Sequence, residues 1–235
     1  MIPGTWIVRP TEPVPYDLAS DLMHDLAERR ADDLIPDVLI LLEHPPVYTG
    51  GRRSDPAHML WPEERMRARG AALRLADRGG SFTFHGPGQL VGYPIMRLDS
   101  RLDVIPHLRR MEEVAIRTGA DLGLSLGRDE RQTGVWAGPA KVCAIGVRLS
   151  AAKVTLHGFG LNCSTDLSWF DAIVPCGLPD RSVTSLSRVA GRTISVAEVA
   201  PLVERHAAEV FGSALVPAPT DIADAFAAPA RAAER

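Results

Sequence analysis

Cys176, set between Pro175 and Gly177, is the residue of this 235-residue chain best suited to nucleophilic chemistry. Proline fixes the approach of the backbone, and glycine leaves room beside the sulfur for a substrate and for N–H groups. A thiol attacks as its thiolate, and with an ordinary pKa of about 8.5 it needs a neighbouring cation or base. Lys141 is one candidate. Of the 26 basic residues only Lys141 and Lys153 are lysines, and a lysine can release a proton where an arginine cannot. His85 and His157, each followed by glycine, are the competing partners and would make a Cys-His hydrolase. Cys143 and Cys163 lie in strand-like apolar runs, the usual setting of buried structural cysteines.

A second concentration of unusual residues is Arg78-Gly79-Gly80-Ser81-Phe82-Thr83-Phe84-His85-Gly86-Pro87-Gly88-Gln89, which leads into Leu90-Val91-Gly92. Five glycines within fifteen residues let the backbone take positive φ and come close to a ligand. With arginine before and His-Gly-Pro-Gly-Gln after, the stretch reads as a loop that faces a ligand. It is neither a P-loop nor a dinucleotide fingerprint, because it has no Gly-Lys-Ser/Thr and the wrong spacing.

These residues need elements to hold them. Thr5-Trp6-Ile7-Val8 reads as a first strand, and residues 16–30 carry Leu18, Leu22, Met23 and Leu26 at helical spacing. Val38-Leu39-Ile40-Leu41-Leu42 is a continuous apolar strand buried on both faces. The Pro-Pro and Gly-Gly pairs of residues 43–51 argue for irregular structure there, with His44 at its start. Residues 62–69 suit a short helix, 73–76 a strand into the glycine-rich loop, and 90–94 the strand leaving it. Residues 106–122 carry apolar positions at helical spacing. Residues 134–137, 141–149 and 154–163 read as antiparallel strands interrupted by glycines. Ser195-Val-Ala-Glu198 is a capping-box pattern that opens a helix toward Phe211, which Pro201, past its first turn, is expected to kink. One catalytic domain over residues 1–215 is expected, with an Ala/Pro-rich tail at 216–235.

Composition narrows the class. Hydrophobic content of 46% and charged content of 23% are those of a soluble globular protein, and a net charge of −3 argues against a nucleic-acid binder. No signal peptide and no membrane-spanning run is visible. Three widely spaced cysteines fit a reducing, cytoplasmic setting, and no metal-ligand spacing is present. Arg52, Arg53 and Arg148 are the candidates for steering an acidic partner into place.

The run from Arg78 to Pro94 resembles the signature of the lipoyl(octanoyl) transferases, which typically reads Arg-Gly-Gly-x-x-Thr-Tyr-His-Gly-Pro-Gly-Gln-Leu. The runs Lys141 to Arg148, His157-Gly-Phe-Gly-Leu-Asn162, Pro175-Cys-Gly-Leu178 and Val183-Thr-Ser-Leu186 resemble that family too, in the same order. Two departures are visible. Phe84 stands where tyrosine is usual, and Pro139-Ala140 precedes Lys141 where a basic residue is common. The resemblance implies an α+β fold, a mixed sheet flanked by helices as in biotin and lipoate ligases, related to class II synthetases. It implies transfer of octanoyl from octanoyl-acyl carrier protein to a lysine of lipoyl domains, in 2-oxoacid dehydrogenase complexes and the glycine-cleavage H protein. Cys176 would be the acyl-thioester nucleophile and Lys141 the residue that lowers its pKa. Arg78, Gly79, Gly80, Ser81, Phe82, Thr83, Phe84 and His85 would line the acyl pocket with Ala144-Ile145-Gly146 and Gly158-Phe159-Gly160. No cofactor, metal, nucleic acid or membrane is implied, and a monomer is expected. An ATP-dependent lipoate or biotin ligase and a non-catalytic acyl-binding module are the alternatives.

Overall fold

The computed structural model describes residues 4–130, 132–174 and 182–227. Its centre is the apolar run expected to be buried: β2 (Val38–Leu42) is covered at every position. Alternation along β2 feeds two cores. Leu39 and Leu41 join one, and Val38, Ile40 and Leu42 join the other. On the first face lie α3 (Val104–Asp121) and α5 (Val196–Phe211), and on the second α1 (Tyr16–Ala31) and α6 (Thr220–Ala227).

Among the described residues eight strands form the main sheet. The order runs β10 (Ser182–Val183), β8 (Ala140–Leu149), β9 (Thr155–Asn162), β6 (Gln89–Ile95), β2, β1 (Thr5–Val8) and β11 (Leu215–Pro217), with β7 (Val135–Ala137) also on β8. Pairing is antiparallel from β7 through β2 and parallel for β1 with β2, β1 with β11 and β10 with β8, so the sheet is mixed. α4 (Leu186–Ala190) follows β10, opened by Ser185, whose hydroxyl accepts from the Arg188 N–H. No helix among the described residues is long and apolar enough to cross a membrane.

Three local results differ from the sequence reading. Residues 43–51 are not irregular throughout. Pro45-Pro46 ends β2, and β3 (Val47–Gly50) then pairs with β4 (Ala72–Leu75) and β5 (Phe82–His85) in a second, three-stranded sheet. Its aromatic core of Tyr48, Phe82, Phe84 and Phe170 also receives Met66 of α2 (Glu63–Ala68). At α5, Ser195 caps the Glu198 N–H, but the Glu198 carboxylate turns to Arg192 at 2.7 Å instead of closing the box. The helix runs unbroken past Pro201. Finally, residues 216–227 of the Ala/Pro-rich segment pack onto the fold: β11 pairs with β1, and Ile222 and Phe226 of α6 enter the core beneath α1. Their apolar side chains, at helical spacing on α6, outweigh the Ala/Pro bias of the segment.

Candidate active site

The glycine-rich loop is held from inside by its own arginine. Arg78 donates to the carbonyls of Gly79 (3.0 Å) and Ser81 (2.9 Å), and to the carbonyl and hydroxyl of Thr49 (both 2.7 Å). Gly51 passes so close that an added Cβ would lie 2.6 Å from both the Arg78 guanidinium and the Gly80 carbonyl. The Arg52 and Arg53 N–H groups donate to the carbonyls of Arg78 and Gly80, and the Gly79 N–H to Val147 on β8. The loop is thereby fixed to β3 on one side and to β8 on the other.

Between this loop, β8 and β9 lies a cavity of about 710 Å³. Its wall includes Arg78, Gly79, Gly80, Ser81, Phe82, Thr83 and His85, together with Ala144, Ile145, Gly146, Gly158, Phe159 and Gly160. Lys141 and His157 line it as well. Phe84 does not. Strand alternation turns Phe84 away from the face of Thr83 and His85 and into the second core, stacked on Trp169 at 5.0 Å between centroids. Gly158 is required by close approach, since a Cβ there would fall 2.1 Å from the Gly92 carbonyl. The wall also contains Tyr16, which carries no glycine or motif signal, and Tyr93, which belongs to the Arg78–Pro94 run but not to its expected lining residues.

Lys141 stands at the start of β8. Its Nζ donates to the Thr133 carbonyl (3.2 Å) and to Gln132 Oε1 (3.4 Å), and it lies 4.7 Å from the centroid of the Trp136 ring. Lys141 pairs with Val183 of β10, and its carbonyl accepts from the Thr184 N–H at 2.9 Å. Cys176, the expected nucleophile, lies outside the described residues. The chain enters its segment from Val174, whose N–H is held by the His58 carbonyl at 2.8 Å. It leaves the segment beside Lys141. Cys143 and Cys163 are free and fully buried; burial pushes the Cys143 thiol far up and that of Cys163 up to about 12, so neither is a thiolate at neutral pH.

His85 and His157 line the cavity, with His44 packed against the His85 ring at 5.8 Å between centroids and His24 against His157 at 6.3 Å. His85 Nδ1 meets Gln89 Oε1 at 2.6 Å, and burial, reinforced by His44, pushes the ring down to about 3. His44 bridges the Val14 carbonyl (2.6 Å) and the Tyr93 hydroxyl (2.8 Å), and burial pushes it down to about 4. It is therefore a neutral framework residue, and burial likewise raises Tyr93 well above its ordinary value. His157 is a non-glycine residue at φ +59, a strained conformation of the kind kept at functional sites. Its Nε2–H donates to Asp77 Oδ1 at 2.5 Å. Burial, with Arg78, His24 and Arg148 around it, takes His157 down to about 3. Asp77 also meets His24 (3.2 Å) and Arg148. Arg148 is thus committed to the framework and is withdrawn as a docking residue, whereas Arg52 and Arg53 are exposed, Arg53 on the cavity wall. Asp77 was invisible in the sequence because its partners come from α1, β8 and β9. No metal-binding cluster occurs among the described residues.

A mixed sheet flanked by helices, with a glycine-walled cavity along one strand, is the architecture of the lipoate-ligase fold. The structure superposes on lipoate-protein ligase A bound with ATP with a TM-score of 0.74 at 18% identity, covering 97% of this chain and 93% of that one. A putative lipoate protein ligase from T. acidophilum with bound lipoic acid gives 0.74 at 19% identity, covering 97% and 93%. The sequence matches the lipoyl protein ligase A/B catalytic domain over residues 15–208, and the chain belongs to that family. It is 50% identical over 199 residues to an octanoyltransferase of Rubrobacter xylanophilus, covering 84% of this chain and 90% of that one. It is 46% identical over 209 residues to an octanoyltransferase of Thermobifida fusca, covering 86% of each. Within the lipoate/biotin ligase superfamily, then, the chain is an acyltransferase of the lipoyl(octanoyl) transferase group.

Proposed function

We propose that this enzyme moves an octanoyl group from octanoyl-acyl carrier protein to the target lysine of a lipoyl domain, through a thioester on Cys176. In the first half-reaction the Cys176 sulfur attacks the donor thioester carbonyl. A new C–S bond forms, the carrier C–S bond breaks, and the carrier thiol leaves with a proton. Exchange of one thioester for another is close to isoenergetic, so no nucleotide is consumed. In the second, the acceptor amine attacks, the amide C–N bond forms, and Cys176 recovers its proton. Amide formation from a thioester runs downhill. Lys141 favours the thiolate by its charge and carries the proton between the two sulfurs and the amine.

The observation that most supports this reading is the cavity itself, walled by glycines and closed by the Arg78 loop, with Lys141 at the point where the chain leaving Cys176 rejoins the sheet. Its volume of about 710 Å³ lies in the range of small-molecule sites, roughly 300–1,000 Å³. The acceptors are the lipoyl domains of 2-oxoacid dehydrogenase complexes and the glycine-cleavage H protein. Arg52 and Arg53 steer these acidic partners, and the enzyme works in the cytoplasm as a monomer. Incubation with octanoyl-carrier protein and apo lipoyl domain, without ATP, should yield octanoylated domain. An absolute ATP requirement would replace this reading with a ligase.

A further inference from the structure

A buried chain of hydrogen bonds fixes what His85 can do. Gln89 Nε2 donates to the Phe84 carbonyl (3.0 Å) and to Asn162 Oδ1 (2.8 Å), and Asn162 Nδ2 donates to the Thr184 carbonyl (3.0 Å). Backbone carbonyls only accept, so each amide has one orientation, and Gln89 Oε1 is the atom that faces His85 Nδ1. Nδ1 therefore carries the proton and Nε2 a lone pair. That lone pair has no hydrogen-bond partner among the described residues. Burial keeps the ring neutral near physiological pH.

Position separates His85 from His157. His85 Cε1 packs 3.4 Å from where a Gly160 Cβ would stand, and Gly160 pairs with Ala144, three residues along β8 from Lys141. At about 3.4 Å per residue that is roughly 10 Å of strand. His85 and Lys141 also line one small recess together with Gln89 and Asn162. His157 pairs with Val147, six residues from Lys141, or roughly 20 Å along β8. An alkyl chain has no hydrogen to offer, and packed against His85 Nε2 it would leave a buried acceptor unpaired. The group that suits it is a hydrogen-bond donor, and the donor the second half-reaction brings to the site is an amine N–H.

We propose that His85 is a catalytic residue of the second half-reaction: its Nε2 accepts a hydrogen bond from the ε-amine of the acceptor lysine and turns the nitrogen lone pair toward the thioester carbonyl. Gln89 and Asn162 are positioning residues that hold the tautomer. The inference rests on the Cys176 thioester reading. The amine nitrogen forms the C–N bond, the C–S bond breaks, and the surplus amine proton passes by way of Lys141 to the Cys176 sulfur. His85 holds an N–H and takes no proton.

The test separates the half-reactions. Enzyme is acylated with octanoyl-carrier protein, freed of donor, mixed with apo lipoyl domain, and followed by intact mass. His85→Leu should slow deacylation roughly ten- to a hundredfold more than it slows acylation. His85→Gln, whose carbonyl can accept in place of Nε2, should recover part of that loss. Gln89→Leu should fall between. Should His85→Leu fail to fold, His85→Gln and Gln89→Leu still decide the matter. Wild-type deacylation by the variants, or equal loss in both halves, would overturn the inference. So would a wild-type deacylation limb at about pH 6.5 that disappears in His85→Gln, since the ring would then titrate. A wild-type enzyme that never acylates would overturn the thioester reading, and this inference with it.

Discussion

Replacing Arg78 by Met keeps a side chain of similar reach and removes every donor that organises the glycine loop. Four hydrogen bonds of 2.7–3.0 Å are lost. The Gly79 and Ser81 carbonyls lie at the cavity and can be reached by water, but Thr49 is fully buried and its carbonyl and hydroxyl are stranded. At about 1–3 kcal/mol for each buried group left unpaired, the two together cost about 2–6 kcal/mol. In a chain of this length each kcal/mol moves Tm by about 2–4 °C, so Arg78→Met should melt roughly 4–24 °C lower. Melting followed by circular dichroism without substrate is the assay, with transfer activity in parallel. Arg78→Lys, which keeps a charge but not the planar fork, should fall between. If Arg78→Met melts within about 2 °C of the parent and only weakens donor binding, then Arg78 acts on the substrate and the loop holds itself.

Lys141→Arg should fold normally and lose most transfer, roughly a hundred- to ten-thousandfold, because a guanidinium keeps its proton; near-parental turnover would reduce Lys141 to a fixed charge. His107, buried between α3 and Phe211, is pushed down by burial to about 4, so the unfolded chain binds a proton that the folded chain refuses. Its share of the stability, about 3 kcal/mol, should be lost as pH drops from about 6.5 to 4, while His44 loses its share over the same range and His85 and His157 carry the fall on toward pH 3. His107→Leu should flatten that slope in urea titrations across the range, and an unchanged slope would rule the contribution out. Phe226→Ala should destabilise the fold by about 3–5 kcal/mol, which treats α6 as part of the core; a silent substitution would return residues 216–227 to the status of a tail.

Elements governed by one short pattern were legible before the structure. The apolar run of β2, the helical spacing of α1 and α3 and the Ser195 cap appear where their residues placed them. β3 was hidden because Pro45-Pro46 and Gly50-Gly51 bracket only four residues, and what makes them a strand is pairing with Phe82–His85 across the second sheet. The glycine loop announced a ligand-facing role through composition, and most of its residues do line one cavity. Phe84 went astray because a motif carries no information about which side of a strand faces the ligand. Asp77 and Tyr16 join the site only through long-range packing, and nothing local to either signals it; His44, after the central strand, and Tyr93, inside the Arg78–Pro94 run, were marked by position but not by role.

The central claim is that Cys176 carries the acyl group, and intact mass after exposure to octanoyl-carrier protein alone tests it most directly. The account predicts an octanoyl-sized increase in the parent enzyme, kept in Cys143→Ala and Cys163→Ala and lost in Cys176→Ala. An increase that survives Cys176→Ala, or no increase in a parent enzyme that still turns over without ATP, would contradict it.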